Sequence, residues 1–154
     1  MVVEFTIRSL PRIPVASIVR IGPWKEENLR TEFGELERWA RGQRVRSGRW
    51  IFLERGRHRW EACLELKGTA EPSGRIRLKT LPAARAACLV FDPDRVSSRV
   101  VYHALRDWTR ARRRDGALGR ITSIREVYPG DPWKDPNAWA HCEVQFVAAP
   151  RPPG

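Results

Sequence analysis

One order of elements occurs twice in this sequence, and that repetition constrains the fold more than any other feature. Val3, Phe5 and Ile7 alternate with Glu4, Thr6 and Arg8, the period of a strand with one buried face, until Leu10-Pro11 breaks it. The β-branched run 13–21 (IPVASIVRI) is a second strand, ended by Gly22-Pro23. A helix follows from about Lys25 to Arg41, with Leu29, Phe33, Leu36 and Trp39 or Ala40 on one stripe and Gly42 as its stop. RWIFLER and RWEACLEL are then two strands, Trp50, Phe52 and Glu54 sharing one face of the first and Ile51 and Leu53 the other. Arg55 to His58, with Gly56, is short enough to close a hairpin between them.

After the linker 68–74 (GTAEPSG) the pattern returns. Ile76, Leu78 and Thr80 alternate, Leu81-Pro82 breaks the strand, Ala83 to Phe91 is apolar, and Asp92-Pro93-Asp94 ends it. A helix from about Arg95 to Arg114 carries Val101, Leu105 and Trp108, with Gly116 beyond it, and residues 120–128 and 138–148 are the closing strands. Thr80-Leu81-Pro82 echoes Ser9-Leu10-Pro11, and Tyr102, Leu105 and Trp108 stand at the spacing of Phe33, Leu36 and Trp39. Face parity aligns Trp60 with Ala140, which sets Ala62, Leu64 and Leu66 against Cys142, Val144 and Phe146 and leaves Trp139 and His141 on the more polar face. The expectation is an α+β domain over residues 1–150, built from two pseudo-symmetric strand-helix-strand-strand halves, about 2–67 and 75–148, with an antiparallel sheet and two main helices. The tail 149–154 is expected to fray.

At 154 residues the chain is long enough to bury a core without metal or disulfide support. Cys63, Cys88 and Cys142 are odd in number, far apart and inside apolar runs, so they read as buried thiols. No run reaches the roughly 18 apolar residues of a membrane helix, and the start lacks the basic and apolar blocks of a secretion signal, so a cytoplasmic location is expected. The net charge of +11 comes from 29 Lys and Arg against 18 Asp and Glu. Its clusters are Arg41, Arg44, Arg46 and Arg49, then Arg55, Arg57 and Arg59, then Arg110, Arg112, Arg113 and Arg114. Two of the three lie at helix C-termini, where cations complement the helix dipole, so solvated surface is preferred to a nucleic-acid footprint.

The Leu-Pro break before an apolar strand, the strand ending in IGPW (Ile21 to Trp24) and the FxxLxxW helix are followed by LPAARAACLVF, YHALRDW and REVYPGDP. Over roughly residues 3–148 this order resembles the GyrI-like small-molecule-binding family, the effector-binding domain of multidrug-responsive transcription regulators. The resemblance implies helices packed over an antiparallel sheet and a ligand cleft between the halves. It also implies that the acid of the E-x-Y segment, here Glu126 with Tyr128, lies in that cleft. All 154 residues are used by this pattern, with no helix-turn-helix segment, so a stand-alone module is expected.

The residues point to Glu126 independently. On a strand Ile124, Glu126 and Tyr128 share one face and Ser123, Arg125 and Val127 the other. A carboxylate on a face that meets the core is costly unless it is paired, an arginine being the plainest partner, or lines a cavity. Such an acid suits a pocket for cationic aromatics, with rings supplying cation–π contact. Glu54 has the same parity and is the candidate counterpart in the first half. The chain also has seven Trp. The expected lining is Glu126, Tyr128, Trp60, Trp108, Trp39, Phe91 and Tyr102, with Trp24 capping the mouth.

Catalysis is thinly supported. His58, His103 and His141 have no metal-ligand spacing, and neither a phosphate-cradling glycine loop nor a nucleophile elbow is present, so no metal or cofactor is expected. The leading reading is a module that senses or sequesters a lipophilic aromatic ligand, cations included, as a monomer or homodimer, without membrane or nucleic acid. Two alternatives stay open. One is a hydrolase of cyclopropanoid-type xenobiotics, known among relatives of the family, using Glu126 and Tyr128; the other is an interaction protein presenting its Arg clusters to nucleic acid or to an acidic protein such as a topoisomerase.

Overall fold

The computed structural model describes residues 4–56 and 58–150. Val3 of the expected first strand, Arg57 of the hairpin and its cluster, and 151–154 of the tail lie outside them. Strands β1 (Thr6–Leu10) and β2 (Ile13–Ile21) precede helix α1 (Glu26–Gly42), and β3 (Ser47–Glu54) and β4 (Arg59–Leu66) complete the first half. The second half is β5 (Arg77–Leu81), β6 (Ala84–Phe91), α2 (Ser98–Arg114), β7 (Ile121–Tyr128), a short α3 (Pro136–Trp139) and β8 (Cys142–Ala148).

The strands form one curled antiparallel sheet in the order β1-β6-β8-β7-β3-β4-β2-β5. Replacing each strand by its counterpart in the other half reverses that order onto itself, so a pseudo-dyad passes between β3 and β7. Each half gives its first strand to the other: β1 pairs with β6, and β5 with β2. The registers obey the same symmetry. Leu10 faces Ala84 where Leu81 faces Ile13, and Ala16 faces Leu64 where Ala87 faces Phe146. Leu64 therefore corresponds to Phe146 and Trp60 to Cys142, two residues further along than the alignment of Trp60 with Ala140. The face is kept, and the two-residue difference lies in the length of the segment between β7 and β8.

Phe52 faces Ala62 in one half and Glu126 faces Val144 in the other, which makes Phe52 and Glu126 equivalents. They are also direct partners in the β3–β7 ladder. The pair lies on the dyad and is its own image. The counterpart of Glu126 is thus Phe52 rather than Glu54, and Glu54 corresponds to Tyr128.

Helix α1 lies on β2, β3 and β4, and α2 on β6, both over the same face. The stripe Leu29, Phe33, Leu36 and Ala40 is buried there, with Val101 and Leu105 from α2 and Trp60, Leu64, Leu89, Val144 and Phe146 from the sheet. The opposite face is not the polar exterior that strand alternation suggests. Ile13, Val15, Ile51, Leu53, Cys63, Leu81 and Val127 form a second buried cluster on it. Glu61 and Arg125 are buried there as well. Equivalent ion pairs tie the exchanged strands across this face, Arg8 to Glu143 at 2.7 Å and Lys79 to Glu61.

Two boundaries differ from expectation for local reasons. The α2 helix starts at Ser98, because the amides of Arg95 and Val96 bond to the Asp92 carbonyl and that of Asp94 to its side chain, a closed turn before the helix. Residues 136–139 are helical rather than the start of β8: Asp135 Oδ1 accepts the Asn137 amide at 2.9 Å and Pro136 occupies the first turn. No helix among the described residues is long and apolar enough to cross a membrane.

Candidate functional site

A cavity of about 180 Å³ opens on the helix-bearing side of the sheet beside the dyad. Larger concavities lie near β2 and β5 and at the end of α2, but they are open and edged by arginines. At the dyad a buried carboxylate and a set of rings converge. The cavity is lined by Trp24, Phe91, Glu126 and Tyr128, and by Glu26, Leu29, Pro93, Ser98, Trp133, Trp139 and Cys142.

Glu126 reaches this cavity because β7 alternates, sending Arg125 and Val127 to the other face. Its two oxygens are held separately: the Tyr102 hydroxyl, from α2, donates to Oε1, and the Tyr128 hydroxyl donates to Oε2 at 3.1 Å. Among the described residues Glu126 forms no ion pair, so the arginine partner is replaced by two phenols. Burial raises its pKa above the ordinary carboxylate range, and the two phenol hydrogen bonds oppose that rise. Both tyrosines are held protonated, first by burial and then by the charge of Glu126. Glu54, on the same face, is also shifted up, by burial and then by repulsion from Glu126.

Rings complete the walls. Trp139 lies parallel to Tyr128, within 7° and with centroids 6.3 Å apart, and its Nε1 donates to Asp94 at 2.9 Å. Trp133 Nε1 donates to Glu26 at 3.2 Å. Trp24 is 49% exposed at the mouth and leans on Phe52, centroids 6.1 Å apart.

The expected residues divide accordingly. Trp24, Phe91, Glu126 and Tyr128 line the cavity, and Tyr102 supports its carboxylate from behind. Trp60, Trp39 and Trp108 do not line it. Trp60 is buried behind Phe52, with centroids 5.9 Å apart. Trp39 sits in the last turns of α1, far along the helix from the first turn that meets the cavity. Trp108 is taken by a stack on Phe5 at 5.5 Å, with the Arg112 guanidinium 4.9 Å from its ring centre. Trp139 is expected on the polar face of a strand over 138–148 and Trp133 in the loop before it, and the structure brings both to the cavity wall. Asp135-Pro136, a helix cap followed by a first-turn proline, signals the short helix that ends in Trp139.

No protein-family profile matches this sequence, and no curated protein is significantly similar to it. Solved structures are similar in fold. The C-terminal domain of EcmrR matches with a TM-score of 0.77 at 18% identity, over 97% of this chain and 99% of that one. A hydrolase encoded by lin2189 from Listeria innocua matches at 0.65 and 11% identity, over 94% and 91%. SAV2435 bound to tetraphenylphosphonium matches at 0.50 and 10% identity, over 95% and 94%. The α+β fold is thus shared with these structures, as the resemblance implies.

Proposed function

We propose that this protein binds lipophilic aromatic cations in the dyad cavity, as a module that senses or sequesters them. The observation that carries the reading is Glu126, a carboxylate oriented by two phenols, open to an aromatic-walled cavity and met by no cationic side chain among the described residues. A charge left uncompensated in a low-dielectric site favours a ligand that supplies the counter-charge. Ring faces of Trp139, Tyr128 and Trp24 offer cation–π contact to a ligand too bulky to be hydrated well. That SAV2435, of similar fold, was solved with tetraphenylphosphonium supports this class of ligand.

Tetraphenylphosphonium is therefore the probe for a calorimetric titration, with a neutral triphenyl compound as control. Glu126→Gln keeps the size of the side chain and removes the charge, and is expected to weaken the cation by about tenfold or more while sparing the neutral control. Because burial raises the Glu126 pKa, affinity for the cation rises with pH through that pKa and levels off above it, and binding releases a proton. Absence of binding up to millimolar probe, or an unchanged affinity in Glu126→Gln, would defeat the reading.

A second reading is hydrolysis of a strained electrophile in the same cavity. It is favoured by a carboxylate at the cavity wall whose pKa burial raises, which makes its ionised form a stronger base toward water. A water adduct of a cyclopropane-bearing compound, seen by mass spectrometry and lost in Glu126→Gln, distinguishes turnover from binding.

A further inference from the structure

Trp133 also lines a second cavity, of about 230 Å³, together with Trp50, Gly34, Arg30, Arg38 and Lys134. Its chemistry is the reverse of the dyad cavity. Two acids line it as well, Glu37, paired with Arg41 at 3.5 Å, and Asp131, whose Oδ1 accepts the Trp133 backbone amide at 2.9 Å, but Arg30, Arg38, Arg41 and Lys134 outnumber them. Arg30, Arg38 and Lys134 form no salt bridge among the described residues, and the Arg30 guanidinium stands 5.9 Å from the centre of the Trp133 ring.

Gly34 is the independent observation. It lies in the middle of α1, which continues to Gly42, and glycine is among the least favoured residues in a helix interior. Its backbone is ordinary helix, so no turn requires it. Gly34 lines the cavity, and a Cβ built there would fall 3.3 Å from Arg38 Nη1, tighter than side chains ordinarily pack. The missing side chain leaves room for that guanidinium beside the hollow and its indole wall.

We propose that this cavity binds an aromatic anion, a planar ring bearing a carboxylate, sulfonate or phosphate. The ring rests on Trp133 and Trp50, and the acid group meets the guanidinium forks of Arg30 and Arg38 with Lys134 beside them. The site is separate from the cation cavity and shares one wall with it.

The test is calorimetric titration of the full chain with naphthalene-1-sulfonate at constant ionic strength, with naphthalene-1-methanol and inorganic sulfate as controls. The sulfonate is expected to bind, and each control about tenfold or more weaker, since one lacks the charge and the other the ring. Arg30→Ala with Arg38→Ala, both exposed positions, weakens the sulfonate by about tenfold or more. Gly34→Leu fills the hollow and abolishes binding while the melting temperature holds or rises, leucine being the better helix former. Glu126→Gln leaves sulfonate binding unchanged, so failure of the cation reading does not touch this one. The proposal is overturned if the sulfonate does not bind up to millimolar, if sulfate binds as tightly, or if the double arginine variant binds as the parent does.

Discussion

Arg125 and Glu126 are neighbours in sequence that β7 sends to opposite faces of the sheet, and both are charges held away from water. Arg125 is 2% exposed, and its Nε and Nη1 find no hydrogen-bond partner among the described residues. Burial lowers its pKa below the ordinary guanidinium value. A buried charge without a partner is a cost that a shape-matched apolar side chain removes, so Arg125→Met is expected to stabilise the fold by about 1–3 kcal/mol, read by denaturant unfolding. Glu65 behaves oppositely. Its carboxylate takes two hydrogen bonds from the Arg49 side chain and one from the Arg49 amide, and its pKa is lowered to about 2. An acid with a depressed folded pKa stabilises at neutral pH and loses that contribution as pH falls. Unfolding free energy should therefore drop by roughly 2 kcal/mol between the ordinary carboxylate range and pH about 2, and Glu65→Gln should flatten that stretch of the pH profile.

Elements with a strong period were legible from the residues alone. The stripe through Leu29, Phe33 and Leu36 predicts α1 to within a residue at each end, and alternation along β7 predicts that Glu126 and Tyr128 share the helix-bearing face. Inward parity states that a ring is buried, not what it is buried against. Trp60 and Phe91 both point inward, yet of the two Phe91 reaches the cavity while Trp60 packs against Phe52. The loop before β8 has no period at all, and its two indoles come into place through hydrogen bonds to Glu26 and Asp94 that no spacing encodes. Alternation likewise says nothing about which strand is a neighbour, so the exchange of β1 and β5 is a property of the fold alone. The cap on α3 is the testable point at this scale. Asp135→Ala is expected to cost about 1 kcal/mol locally, to speed amide exchange through Asn137–Trp139, and to weaken tetraphenylphosphonium binding by loosening Trp139.

At the scale of the molecule, each exchanged strand is latched to the other half more than once. Phe5, just before β1, stacks on Trp108 of α2, and Arg75, just before β5, grips buried Glu32 of α1 at 2.7 and 2.8 Å. Ion pairs on the opposite face repeat the connection. A fragment of residues 1–74 is left with β1 and one edge of β2 unpartnered, and is expected to be unfolded alone by circular dichroism; mixing it with 75–154 should restore the native spectrum.

The self-paired position formed by Phe52 and Glu126 has one more consequence. A complex of two identical halves would carry the same side chain twice at its axis, and so offers a ligand either two carboxylates forced together or none. Because the two halves of this chain differ, the axis holds one negative charge facing one ring. The carboxylate therefore stands on one side of the dyad alone, and the cavity, lined also by Glu26 from α1, is lopsided although the fold around it is symmetric.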